Sequence, residues 1–269
     1  MASASAESPA TAARGSDKAD VVLRLATLDD VPVLASIADA AFRTDSHTQL
    51  KAAFRGPGDF AEGMAQALTS WVDHPKVDVV VAEQHRPPGG GGGSGGEPAV
   101  VVVGWAGWTR RGFAGDTDWP LDDAPSEEPT AAGWLGGRAA GTVAELGRLT
   151  DASMGYWVRR FMPEGARCRF LCSYVVHPDF QSRGVGSRLM RWGTDRADAE
   201  PGVYCWAQSS MGGKAAFERQ GFREAGRLEA DLDAFAEGRA PGEEYEHATG
   251  SRDSWGEYVW VYMRRDARA

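Results

Sequence analysis

Cysteine and long apolar runs are both scarce in this chain, and each shortage excludes a class of protein. Three cysteines among 269 residues, Cys168, Cys172 and Cys205, are too few for a disulfide-bonded scaffold and lack the spacing of a metal site. We expect three buried thiols, because no histidine adjoins any of them to make a catalytic pair. No segment approaches the ~20 consecutive apolar residues that a membrane span needs. The sequence therefore predicts a cytoplasmic protein with no metal and no membrane partner.

Positive charge is also in short supply. The chain has 29 Lys and Arg against 38 Asp and Glu, a formal net charge of −9. This balance argues against nucleic acid as a partner and mildly favours a cationic one. Apolar residues, in contrast, make up 42% of the sequence and include 10 Trp, which is ample for a packed core.

Low-complexity segments set the limits of the folded part. Residues 1–20 are rich in Ala and Ser and lack the apolar core of a signal peptide, so we predict a disordered N-terminal tail. Residues 21–269 are predicted to form one domain. Within it, the Gly-rich insertion at 86–98 is interpreted as a flexible loop that expands a hairpin of two antiparallel strands. Residues 110–129 combine Gly, Pro, Asp and Glu without periodicity, which predicts an irregular acidic loop.

Hydrophobic periodicity predicts a chain in which strands and helices alternate. Thr27 precedes a helical pattern and is expected to cap it, with two aspartates in the first turn. Further helices are predicted at residues 60–71, 142–162, 188–199 and 213–220. Strands are predicted at residues 21–25, 77–82, 100–108, 169–176, 203–208, 222–232 and 258–264.

The most informative segment is residues 174–187, where a buried strand runs into a Pro-marked turn, a glycine loop and the first turn of a helix. This order points several backbone N–H groups at one place, which suits a negatively charged ligand. Gly184 and Gly186 would let the backbone approach that ligand closely and adopt positive φ where required. Arg183 and Arg188 would add positive charge. The alternative is that the two glycines only form a tight turn between strand and helix.

Two motifs, in this order and at this separation, resemble those of the GCN5-related N-acetyltransferase (GNAT) family. Residues 181–186 read Q-S-R-G-V-G, which is similar to the family's pyrophosphate loop, Q/R-x-x-G-x-G/A. Residues 215–222 read A-A-F-E-R-Q-G-F, which resembles the family's A-x-x-Y-x-x-x-G-F ending. The resemblance covers roughly residues 21–264 and is strongest over 171–222.

The resemblance implies an α/β fold with a mixed, mostly antiparallel sheet, flanked by helices and splayed at its central strands to bind acetyl-CoA. It implies transfer of the acetyl group to a primary amine of an unidentified small molecule or peptide, by direct attack in a ternary complex. It leaves a homodimer open, because many members pair through their last strands.

The resemblance also assigns the cofactor site. The strand before the loop would pair with the pantetheine arm of acetyl-CoA, and the backbone N–H of Val176 would polarise the thioester carbonyl and stabilise its oxyanion. No metal is implied. The cofactor-binding residues carried over in this way are Tyr174, Val175, Val176, Gln181, Ser182, Arg183, Gly184, Val185, Gly186, Ser187, Ser210 and Phe217.

Phe217 departs from the family pattern. Many members have at this position a Tyr that protonates the departing CoA thiolate, and phenylalanine has no proton to give. Three alternatives follow: the thiolate leaves unassisted, another group protonates it, such as a water held by Ser209 or Ser210, or the chain transfers poorly. The last alternative would make it a catalytically weak CoA-binding or regulatory protein.

The remaining chemistry is open at the level of the sequence. His177 is a candidate base, but its position in the turn favours a structural role. Glu145, Asp151 and Glu224 are candidate general bases, without a preference among them. Five tryptophans are expected either to cage an amine by cation–π contact or to pack in the core. They are Trp105, Trp108, Trp119, Trp134 and Trp157.

Overall fold

A computed structural model describes residues 21–56, 58–86, 99–113, 124–242 and 253–268. The strands are β1 (Val21–Leu25), β2 (Val77–Arg86), β3 (Ala99–Arg111), β4 (Cys168–Val176), β5 (Tyr204–Ser210), β6 (Arg223–Asp231) and β7 (Glu257–Arg265). The helices are α1 (Val31–Phe42), α2 (Ser46–Arg55), α3 (Asp59–Val72), α4 (Ala131–Leu135), α5 (Val143–Phe161), α6 (Val185–Asp198) and α7 (Met211–Glu218). The predicted N-terminal tail, nearly all of the Gly-rich insertion and residues 114–123 of the acidic loop lie outside the described residues.

The seven strands form one sheet in the order β1-β2-β3-β4-β5-β7-β6. Every neighbouring pair is antiparallel except β4 and β5, which are parallel. The Gly-rich insertion joins β2 to β3, and these two strands pair antiparallel from Val77↔Thr109 to Arg86↔Ala99. The predicted hairpin and the predicted mostly antiparallel sheet are both confirmed.

Helices cover both faces of the sheet. On one face, α6 and α7 pack on a core that includes Val176, Leu189 and Phe217. On the other face, α1 and α3 cover the half that contains β2 and β3, and α2 and α5 cover the half that contains β6 and β7. No helix within the described residues is both long enough and apolar enough to cross a membrane.

Two helices and one strand end differ from the sequence prediction. The helix α2 was not predicted, because among its ten residues only Leu50 is fully buried and the apolar stripe is short. The five-residue α4 was not predicted either. The strand β3 extends to Arg111, so the first two residues of the predicted acidic loop belong to the sheet. The other predicted elements are present, with ends shifted by a few residues.

The central strands β4 and β5 separate along their length. They pair only from Cys168↔Tyr204 to Leu171↔Ala207. Beyond that point β4 continues to Val176 with β3 as its partner, and β5 continues to Ser210 with β7 as its partner. The resulting gap, which we call the split, confirms the expected splay of the central strands.

Candidate functional site

One wall of the split is the unpaired edge of β4. The N–H of His177 donates to the carbonyl of Val103 in β3 at 2.9 Å. Alternate residues of an antiparallel strand face the same neighbour, so the N–H of Val175 also faces β3, while those of Tyr174 and Val176 point into the split. Two backbone donors are therefore directed to the place where the sequence predicted an oxyanion contact from Val176.

The Val176 carbonyl is held from within the loop. The Gln181 side chain donates from Nε2 to this oxygen at 3.1 Å. His177 adds a second local contact, because its Nδ1 accepts from the Asp179 N–H at 3.2 Å. Both side chains stabilise the turn between β4 and the glycine loop, which agrees with the structural role favoured for His177.

The glycine loop ends at an uncapped helix. Gly184 is the N-cap residue of α6, has φ of 83° and offers no side chain to the first turn. Ser182 also has a left-handed backbone, with φ of 60°. The N–H groups of the first helical turn have no acceptor within an α-helix, and here no capping side chain takes them either. These donors therefore suit an anion.

Gly184 and Gly186 are needed for different reasons. A Cβ at Gly184 would meet nothing within 4 Å, so this glycine serves the positive φ and leaves open space. A Cβ at Gly186 would lie 1.9 Å from the hydroxyl oxygen of Tyr174. The lack of a side chain at Gly186 therefore makes room for Tyr174. That both glycines also serve the approach of a ligand stays a prediction.

The two loop arginines also differ. Arg183 is exposed and its guanidinium lies over the Phe180 ring, 5.4 Å from the centroid. Arg188 donates to the Val21 carbonyl of β1 at 2.7 Å. Arg183 thus remains available to a ligand, whereas Arg188 ties α6 to the edge of the sheet.

The opposite wall of the split leads into α7. Ser210 ends β5 and caps α7, its hydroxyl accepting from the Gly213 N–H at 3.4 Å. Phe217 is 3% exposed and lies edge-on to Phe222 and Tyr174, with ring centroids at 5.3 and 5.8 Å. The contact between Phe217 and Tyr174 connects the two walls on the α6 and α7 face.

Two of the three candidate bases are engaged in ion pairs. The Glu145 carboxylate caps α5 and pairs with Arg138 at 2.9 Å, and the Arg138 contact holds its pKa below the usual value. Glu224 pairs with Lys214 at 2.8 Å, and that contact lowers its pKa as well. A carboxylate held in this way is a weaker base, so neither is favoured by its surroundings.

Three of the five candidate tryptophans are buried in the core. Trp105 and Trp108 are fully buried and donate to the carbonyls of Leu34 and Leu189 at 3.0 and 3.4 Å. Trp157 stacks on Tyr262 with centroids 5.0 Å apart. Trp134 is partly buried against the same cluster, and Trp119 lies outside the described residues. The packing alternative holds for the three buried rings.

A cavity of about 460 Å³ opens between α6, the end of α7 and the ends of β6 and β7. Its arginines outnumber its aspartates, in contrast with the net charge of the chain. Arg265 makes a bidentate pair with Asp198, both distances being 2.7 Å. Its arginines are Arg191, Arg219, Arg223, Arg264, Arg265 and Arg268.

The geometry agrees with a comparison against protein families. Residues 102–222 match the model described as "Acetyltransferase (GNAT) family". The chain contains a GNAT acetyltransferase domain. The match begins in β3 and ends just after α7, so it includes the split, the glycine loop and both motifs. Acetyl transfer is the general reaction that this family match supports.

Three solved structures are similar to this chain, and the first of them supports the fold. A mutant of agmatine N-acetyltransferase in its apo form is 14% identical, with a TM-score of 0.50, over 91% of this chain and 98% of its own. A histone acetyltransferase HPA2 and related acetyltransferase from Corynebacterium glutamicum is 17% identical, with a TM-score of 0.45, over 93% and 98%. Mosquito arylalkylamine N-acetyltransferase like 5b is 13% identical, with a TM-score of 0.49, over 92% and 100%. No curated protein sequence matches significantly.

Sequence reasoning missed the side chain of Tyr174. It considered only the backbone of this residue, although the ring contacts both Gly186 and Phe217. A tyrosine on the α6 face of a strand, 12 residues before a loop glycine, was the available signal. Within the described residues, no group of three His, Cys, Asp or Glu side chains is arranged to hold a metal ion.

Proposed function

We propose that the chain is an acetyl-CoA-dependent N-acetyltransferase that acetylates a primary amine of a small molecule or peptide. The observation that carries this proposal is the split, with the uncapped start of α6 next to it, inside the segment that matches the family. The open space at Gly184 fits a phosphate group close to the backbone.

The residues of the split have distinct tasks in such a reaction. Acetyl-CoA supplies the acetyl group as a thioester. The loop from Ser182 to Ser187 holds the pyrophosphate through backbone N–H groups, with Arg183 adding charge. The N–H groups of Tyr174 and Val176 point into the split and would donate to the thioester carbonyl, where a donor stabilises the negative charge that develops during attack by the amine.

A matched pair of variants at Ser182 tests the loop. Ser182 is exposed at φ of 60°, a conformation that Asp and Asn both adopt more readily than most residues. Ser182→Asp places a negative charge beside the phosphates, and Ser182→Asn is its neutral control. We expect calorimetry to show CoA affinity at least about tenfold weaker for Asp, equal to ~1.4 kcal/mol, and little changed for Asn. Equal affinities in the two variants would remove the loop from the binding site.

Turnover separates enzyme from binding module. Phe217 is buried and has no proton to donate, which favours a CoA-binding protein with weak catalysis as the second candidate function. Titration with acetyl-CoA, followed by a thiol-release screen over amine acceptors, distinguishes the two. Binding with release of CoA supports the transferase. Binding without release over a broad set of amines supports the second candidate, and the absence of binding contradicts both.

A further inference from the structure

The phenol of Tyr174 lies beside the split, between α6 and α7. Its residue lies on β4 beyond the last pair with β5, and its ring meets the edge of the Phe217 ring in α7. Its hydroxyl lies against Gly186 at the start of α6. Across the part of the chain that the structure describes, this hydroxyl has no hydrogen-bond partner. Its proton is therefore not engaged in a hydrogen bond within the described residues.

This phenol lies next to the residue where a proton donor is missing. Phe217 occupies the family's tyrosine position but carries no hydroxyl. The two ring centroids are 5.8 Å apart, at an interplanar angle of 66°. A hydroxyl carried by Tyr174 is therefore available from the neighbouring ring, on the opposite wall of the same gap.

We propose that Tyr174 donates the proton that the departing CoA sulfur takes up, an inference that rests on the proposed N-acetyltransferase function. The amine nitrogen forms a bond to the thioester carbon, and the carbon–sulfur bond then breaks with its electron pair on sulfur. The Tyr174 O–H transfers its proton to that sulfur, which gives the CoA thiol. The phenolate recovers a proton from water, and the proton lost by the amine balances it.

The surroundings of Tyr174 suit this task. Burial raises the pKa of its phenol to about 12, and nearby Arg219 opposes that shift only in part. The hydroxyl therefore stays protonated at neutral pH.

The test compares Tyr174→Phe with a variant that returns the hydroxyl on the other ring. Tyr174→Phe removes one oxygen, and Tyr174→Phe/Phe217→Tyr restores a phenol at the same gap. Tyr204→Phe is the matched control, because its hydroxyl donates to the Phe161 carbonyl away from the split. Each protein is titrated with CoA by calorimetry, and single-turnover acetyl transfer is measured with an acceptor from the screen.

A second readout does not depend on activity. CoA labelled with ¹³C at the carbon next to sulfur reports the pKa of the bound thiol by NMR. A hydrogen bond from Tyr174 to the thiolate lowers that pKa, so we expect a value higher by about one unit in Tyr174→Phe than in the original chain. The double variant should bring it back, and Tyr204→Phe should leave it unchanged.

The expected loss of single-turnover rate in Tyr174→Phe is about 10- to 100-fold, near the lower limit for general acids because a thiolate leaves readily. CoA affinity should change less than about twofold, and the double variant should recover most of the rate. A bound thiol with the same pKa in the original chain and in Tyr174→Phe overturns the assignment of Tyr174, whatever the rate. A chain that does not bind CoA at all overturns the proposed function as well.

Discussion

Replacing Gly186 by alanine tests how closely the Tyr174 side chain approaches the start of α6. A Cβ at this position would lie 1.9 Å from the Tyr174 hydroxyl oxygen and 2.9 Å from the ring carbon that carries it. Ordinary separation is ~3.5 Å, so the first contact is about 1.5 Å too short. The Tyr174 ring must move, although it is packed against Phe217.

The magnitude follows from two opposing terms. Overpacking of this kind costs about 1–3 kcal/mol. Alanine in place of glycine in a helix returns up to ~1 kcal/mol from helix propensity. We therefore expect Gly186→Ala to lower the free energy of unfolding by about 1–2 kcal/mol. In Tyr174→Phe the shortest contact is absent, and the same substitution should be close to neutral.

Urea unfolding of four proteins measures the coupling between the two sites. They are the original chain, Gly186→Ala, Tyr174→Phe and the double variant, compared through the midpoint at constant m-value. Gly147 provides the control, since it lies within α5 and a Cβ there would meet nothing within 4 Å. Gly147→Ala should raise stability by about 0.5–1 kcal/mol. This control measures the effect of helix propensity alone, so that the effect of crowding in Gly186→Ala can be calculated by difference.

A Gly186→Ala cost that is the same, within ~0.5 kcal/mol, with and without the Tyr174 hydroxyl would contradict this packing. Additivity of that kind would place the hydroxyl away from the loop. It would also contradict the contact between Tyr174 and the start of α6. A coupling of 1 kcal/mol or more would support both.

Two further predictions address the core and the response to acid. Gly193→Ala would place a Cβ 2.2 Å from the buried Trp108 indole, so we expect a loss of about 3 kcal/mol in urea unfolding, and a loss below 1 kcal/mol would contradict this packing. The Arg24 guanidinium, hydrogen-bonded at 2.7 Å, lowers the pKa of Asp30 from 3.8 to about 2. The pair therefore contributes about 1–2 kcal/mol to the free energy of unfolding, a value reduced because Arg24 is partly exposed. This contribution is present above pH ~4 and is lost as the pH falls toward 2. Asp30→Asn should flatten stability between these pH values, and an unchanged slope would count against the pair.

The sheet and most helices could be predicted because their signals are local. Periodicity finds a strand such as β4 or a long helix such as α5 from consecutive residues alone. The helix α2 has no such signal, since Leu50 is its one fully buried residue. The split is not a periodic feature, because it depends on which strands pair and where pairing stops. Only the resemblance predicted it.

The candidate site was predictable to the same extent. The loop and Gly184 follow from short-range turn chemistry, and the structure shows the positive φ and the open space that such a turn provides. The engagement of Glu145 with Arg138, and of Glu224 with Lys214, was not predictable. Each ion pair depends on tertiary positions that a single sequence does not contain.

The two glycines of the loop are therefore required for two separate reasons, the positive φ at Gly184 and the space for Tyr174 at Gly186. The family motif accepts either Gly or Ala at the second position, which here is Gly186. In this chain that freedom is removed by the Tyr174 hydroxyl, which takes the space of a methyl group. The same side chain that disfavours alanine at the loop is the phenol that contacts Phe217. The residues at these three positions are thus physically linked. Gly186 makes room for the Tyr174 phenol, and because Phe217 has no hydroxyl, the Tyr174 hydroxyl is the one present where the two rings meet.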